Sequence, residues 1–323
     1  MRLNIAVLPL LCCLPVPVCA QSARQEKAIN LPAGVSVEVA SVSRTGKLVA
    51  VICSDHVVRV WSVDSGELVR GLEGKSGPLR VQFSRDGRLL AVAYEIVAYE
   101  KGAIRVFDVD SWKLQYELTA PLTMYVLAFS PDNQRLAFSD INTEIWDFTG
   151  GKRLTDISPP FGGSSALSFS PDGRWVATAD GDAFVRVYGA STGNLRSTPA
   201  EFLLEPFAVA FSPDGKSVLV GGIDKTISIV DPETGKVVRV LPKQPGLVLS
   251  LDVSDDGRQA AVVYGSAEHF LTVNHISLWD LDKGTVLADF QKPGIALVGG
   301  TFVGDHYVFA AGSGNQLTLW SIH

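Results

Sequence analysis

The chain is 323 residues long, 46% hydrophobic and 19% charged, with a formal net charge of −6 at pH 7. So much apolar material excludes an intrinsically disordered chain. A thin, slightly acidic charge without any Lys/Arg cluster excludes a protein built to neutralise a nucleic-acid backbone.

The first element is a leader. "MRLNIAVLPLLCCLPVPVCA" has one cation (Arg2), an apolar run from Leu3 to Val18, and Val18-Cys19-Ala20 before Gln21. That is the layout of a secretory signal, so cleavage after Ala20 and export are expected, with residues 21–323 forming a single domain. The run is short for a membrane span and is interrupted by Pro9, Pro15 and Pro17, and no integral membrane segment is expected in the mature chain. Cys12, Cys13 and Cys19 leave with the leader, so Cys53 is expected to pack as a small hydrophobe with no disulfide framework. With no disulfides and no Asn-x-Ser/Thr acceptor, the expected setting is a bacterial envelope, periplasmic or secreted.

After the leader the chain repeats. "FSPDG" occurs at 169–173 and 211–215, with "FSPDN" at 129–133, "FSRDG" at 83–87 and "VSDDG" at 253–257. The unit from Phe207 reads as four strands: "FAVAF", "KSVLVGG", "ISIVD" and "KVVRVL", separated by "SPDG", "IDKT" and "PETG". Four short antiparallel strands with Pro/Gly/Asp turns in about 42 residues make one propeller blade. The third strand carries a marker at Trp61, Phe107, Trp146, Tyr188, Val230, Trp279 and Trp320, which counts seven units. The last unit stops at "QLTLWSIH", so "KAINL" (27–31) is predicted to supply its missing outer strand and close the ring. The fold class is therefore all-β: a seven-bladed β-propeller of four-stranded antiparallel blades.

The stretches "SDHVVRVWSVDSGELVRGL", "FSDINTEIWDFTGGKRL" and "GGIDKTISIVDPETGKVVRVL" resemble WD-repeat proteins, whose repeats build seven-bladed propellers. The resemblance runs over about residues 27–323. Trp-Asp survives only at Trp146-Asp147 and Trp279-Asp280, and the Gly-His pair before the first strand is absent. The tight-turn aspartate that the family implies is present at Asp55, Asp140, Asp182 and Asp224. The family's buried His–Asp network is thus incomplete, and apolar packing is expected to carry more of the blades.

Catalytic motifs are scarce. "GLEGKSG" (71–77) lacks the first glycine of a phosphate loop and precedes a strand, and "GSGN" (312–315) reads as a hairpin turn. His269 and His275 share a loop with Glu268, without a spacing that makes a metal site. The Asp of each "PDG" reads as a turn carboxylate: Pro presets φ, Asp bonds the backbone two residues on, and Gly takes φ > 0. No cofactor and no catalytic residue is assigned.

A rigid ring without a catalytic constellation implies a non-catalytic protein-interaction scaffold. The loops between blades and those joining second to third strands share one face, and these are the irregular ones. "YEIVAYEKGA", "TAPLTMY", "SPPFGG", "EFLLEPF" and "YGSAEHFLTVNH" offer apolar side chains to another protein. The candidate contacts are Tyr94, Tyr99, Leu122, Met124, Tyr125, Pro160, Phe161, Phe202, Leu203, Leu204, His269 and Phe270. The alternatives are a metal-dependent hydrolase or lyase working at the axis, and a small-ligand or glycan binder on the same face.

Overall fold

The computed structural model describes residues 23–322 except 75, 96–101, 121–125, 161, 198–199 and 266–272. The described residues form seven four-stranded antiparallel sheets and no helix. Six sheets follow chain order outward from the axis, and the seventh takes its outer strand from the N-terminal segment. The innermost strands of blades one to seven are Val37–Val42, Pro78–Phe83, Val126–Phe129, Ser164–Phe169, Pro206–Phe211, Leu247–Val253 and Ala296–Val303. Every expected marker sits on a third strand, from Trp61 in Val58–Ser62 to Trp320 in Gln316–Ile322. In six blades the pairing to the outer strand slips a residue at that marker, as between Val60 and Trp61 or Leu278 and Trp279.

The core lies in the seams. Second strands such as Leu48–Cys53 and Leu89–Tyr94 are buried almost throughout. Both of their faces are covered by neighbouring blades, which is why they read as continuous apolar runs. Seven apolar clusters result, one per seam. Ala50, Ile52 and Val60 of blade one, for example, pack with Val81, Phe83 and Leu90 of blade two. Outer strands are the most exposed, as in Val237–Leu241, where only Leu241 is buried.

The ring closes as expected. Arg24–Asn30 pairs antiparallel with Gln316–Ile322, setting Ile29 against Leu317 and Lys27 against Leu319. The Leu31 amide donates to the Asn315 carbonyl at 2.8 Å, and Ile29 and Leu31 are buried in the seam between blades seven and one.

The repeated phrase is architecture. Asp172 Oδ1 accepts from the Ser170 hydroxyl at 2.6 Å and from the Arg174 amide at 3.0 Å. Asp86, Asp214 and Asp256 repeat both bonds within 2.6–3.0 Å. Gly173 sits at a φ of 67°, where a Cβ is disfavoured, and Asn133 takes that place in blade three at 54°. These turns ring one face, here termed the turn face. The opposite, loop face carries the connections between blades.

One expectation changes. Blades three and four are joined by a buried polar chain as well as by apolar packing. The Thr143 hydroxyl meets Ser139 (3.2 Å) and Ser164 (3.0 Å), and Ser164 donates to Asp180 at 2.8 Å. Arg186 then bridges Asp180 at 2.7 Å and Asp182 at 2.6 Å.

Candidate functional site

The loop face is built on turns that are locally well held. Three of the four tight-turn aspartates have a visible job. Asp55 takes both guanidinium nitrogens of Arg59, at 2.8 and 2.6 Å, and this bond holds its carboxyl below the usual range. Asp182 is held low by Arg186 in the same way. Asp224 accepts from the Thr226 amide at 3.0 Å and hydroxyl at 2.8 Å. Asp140 is buried at the fourth turn. The residue after Asp55, Asp182 and Asp224 (His56, Ala183, Lys225) lies at positive φ, as a tight hairpin requires.

Between blades four and five the loop 202–205 is pinned at both ends. The Phe202 amide donates to the Ala183 carbonyl at 2.9 Å, and the Ile223 amide to the Glu205 carbonyl at 3.1 Å. Gly222 is needed beneath it, because a Cβ there would come within 2.4 Å of the Glu205 carbonyl oxygen. Phe202 packs half-buried on the seam, and Pro206 is buried below. What remains outside is Leu203, 96% exposed, with Leu204 at 46%. Leaving two leucines in water at the tip of a tethered loop costs solubility and gains the fold nothing.

The apolar surface continues onto blade three. Ile141, at the tip of its second hairpin, is 70% exposed. Gly163, in the loop between blades three and four, lies so close to that hairpin that no Cβ could fit against the Asp140 carbonyl. Pro160, in the same loop, is exposed. Ile141, Pro160, Leu203 and Leu204 are thus exposed on the loop face of blades three to five. Ile141 escaped the sequence reading, since one isoleucine in "SDINTE" reads as strand.

Of the remaining candidates, Tyr94 is not a loop contact. The second strand of blade two extends through it, and it is 3% exposed in the seam with blade one. The Arg105 guanidinium lies 5.2 Å from its ring centre. Alternation carries one residue further than the turn signal suggested. Tyr99, Leu122, Met124, Tyr125, Phe161, His269 and Phe270 lie outside the described residues. His275 is paired outward, its Nε2 2.7 Å from Asp289 on the neighbouring strand Thr285–Gln291.

The innermost strands enclose an axial channel with a cavity of about 430 Å³. Its lining is mostly aliphatic and hydroxyl, including Leu127, Ser168, Ala210 and Leu251. The charges at its turn-face mouth are matched. Arg44 meets Asp252 at 2.9 Å and Asp255 at 2.6 Å, and Arg85 meets Asp255 at 2.7 Å. Asp252 also accepts from the Thr301 hydroxyl and the Phe302 amide, each at 3.0 Å. Among the described residues no group of three His, Cys, Asp or Glu is arranged to hold a metal. Nor is any nucleophile paired with a base along the channel.

The WD domain, G-beta repeat model matches residues 157–189 and 206–231, which take in the first three strands of blades four and five. The chain is similar to autophagy-related protein 16 of Arabidopsis thaliana, 26% identical over 74% of this chain and 46% of that protein. It is 25% identical to the periodic tryptophan protein 2 homolog of Schizosaccharomyces pombe, over 53% of this chain and 22% of the relative. It is 30% identical to WD repeat-containing protein SL1-17 of Schistosoma mansoni, over 50% and 52%. The matched segments thus span about half or less of each relative's length. The chain is thus a seven-bladed β-propeller in which blades four and five match the WD40 repeat model.

Proposed function

We propose that the protein is a non-catalytic scaffold that holds another protein on the loop face of blades three to five. The observation that carries this reading is Leu203, 96% exposed on a loop pinned at both ends. Exposed aliphatic side chains on a rigid support cost little ordering entropy on binding and make effective anchors. The similarity to WD-repeat proteins supports an interaction role over a catalytic one.

The setting we propose is the bacterial envelope, reached by export. This rests on the leader "MRLNIAVLPLLCCLPVPVCA" and the absence of disulfides and glycosylation acceptors; the relatives named above are eukaryotic. N-terminal sequencing of the mature chain is expected to begin at Gln21, and an intact Met1 would refute export by cleavage.

A photo-crosslinking residue at position 203, compared with one at position 214 on the turn face, tests the interaction reading. Adducts with a discrete partner are expected from 203 and not from 214. Equal labelling from both faces would contradict it.

A further inference from the structure

The seam between blades six and seven is unlike the other six. Its innermost strands, Leu247–Val253 and Ala296–Val303, are the least closely apposed neighbours in the ring. Asp252 pins the seam at the turn face, through Thr301, Phe302 and Arg44. Toward the loop face the seam opens, and residues 296–300 are all partly accessible.

Two glycines explain the opening. A Cβ on Gly299 would come within 2.0 Å of the Ala40 carbonyl oxygen, so the close approach of blade one requires glycine there. Gly300 occupies the place that Ala40, Val81, Leu127, Leu167, Val209 and Leu251 take in the other blades. Without that side chain a cavity of about 200 Å³ remains, walled by Leu249, Val263, Ile276, Leu297 and Phe309. Leu249 and Ser250 line both this cavity and the channel, which gives a route of entry.

Two hydroxyl side chains line the cavity, Ser250 and Tyr307. Tyr307 is 2% exposed, and its hydroxyl lies 2.6 Å from where a Cβ on Gly300 would sit, facing the void. Burial holds the phenol protonated, so it can donate to a group that enters the void. An apolar cavity of about 150 Å³ stays dry and admits benzene. This one is larger and has a phenolic donor at its wall.

We propose that this seam binds an uncharged, single-ring ligand whose short substituent presents one hydrogen-bond acceptor to the Tyr307 hydroxyl. The apolar walls select the ring, and Tyr307 selects the substituent. The site is separate from the protein-binding residues proposed on blades three to five.

Acetophenone and its hydrocarbon isostere cumene are the probes, titrated into the full chain with the Val, Leu and Ile methyls followed by NMR. Acetophenone is expected to shift the Leu249, Val263, Ile276 and Leu297 methyls and to bind about fivefold more tightly than cumene. Tyr307→Phe, which keeps the packing, is expected to remove that preference while retaining cumene binding. Leu297→Phe, which fills the void, is expected to lose both ligands with the thermal midpoint unchanged. The proposal is overturned if neither probe shifts these methyls, or if the preference for acetophenone survives Tyr307→Phe.

Discussion

Arg186 is the residue on which the polar interior of this ring depends most. Its guanidinium answers Asp180 and Asp182 together at 2.6–2.8 Å, with Ser164 completing the Asp180 shell. Burial pushes the Asp180 carboxyl upward against the pull of Arg186, so that pull is what keeps a buried charge tolerable. Removing one partner of a buried pair leaves the other uncompensated and costs about 3–5 kcal/mol. Arg186→Ala is expected to lower unfolding free energy by about that much in urea titration, and Asp182→Ala by less, because Asp180 still holds the guanidinium. The turn carboxylates act at another pH. Burial alone would raise Asp172, but the Ser170 hydroxyl, the Arg174 amide and the Arg174 guanidinium outweigh it and hold its pKa at about 2. Asp214 and Asp256 are held low first by their serine hydroxyls. A carboxyl lower in the folded than in the unfolded chain contributes stability above its unfolded pKa near 4, lost as pH falls through the folded value. Thermal midpoints are therefore expected to be flat from pH 7 to 5 and to drop between about pH 4 and 2. Asp180 works in the opposite sense and blunts the drop. A midpoint that rose on acidification below pH 4 would contradict the turn assignment.

At the scale of the element, the decisive strand is Arg24–Asn30. Without it, Gln316–Ile322 becomes an open edge, and the buried side chains of Ile29 and Leu31 are lost from the seam. Full burial of each is worth about 1.5–3 kcal/mol, and an open apolar edge invites chain-to-chain pairing. Deletion of residues 21–34 is expected to lower the thermal midpoint sharply and to produce aggregates in size-exclusion chromatography. Unchanged stability and solubility would refute ring closure by this strand. The strand was legible in the sequence because a unit ending at "LWSIH" must find a fourth strand elsewhere. The blades were legible too, because each Pro-Asp-Gly turn has a local cause that repeats. Leu203 and Leu204 could be found as leucines stranded between turns. Tyr94 could not be placed, since alternation does not say at which residue a strand ends. The chain from Ser139 to Arg186 draws on residues about 50 positions apart whose meeting depends on the ring. The seam cavity reflects missing side chains, which no pattern of present ones reveals.

The whole molecule divides its labour by face. The turn face repeats and is locked, each serine and aspartate closing its own hairpin. The loop face varies, and among the described residues its most exposed aliphatic side chains, Ile141 and Leu203, lie on blades three to five. Seven seams each carry their own apolar cluster, so a change confined to a loop tip leaves the core untouched. This separation allows a direct test with a partner identified by crosslinking from position 203. The measurement is the affinity of that partner for the wild-type chain and for the Leu203→Asp/Leu204→Asp variant, with thermal midpoints taken alongside. Anchor residues at an interface are worth about 2 kcal/mol or more, which corresponds to roughly thirtyfold in affinity. The account predicts a loss of at least that size with an unchanged midpoint. An affinity equal to wild type in the folded variant would contradict it.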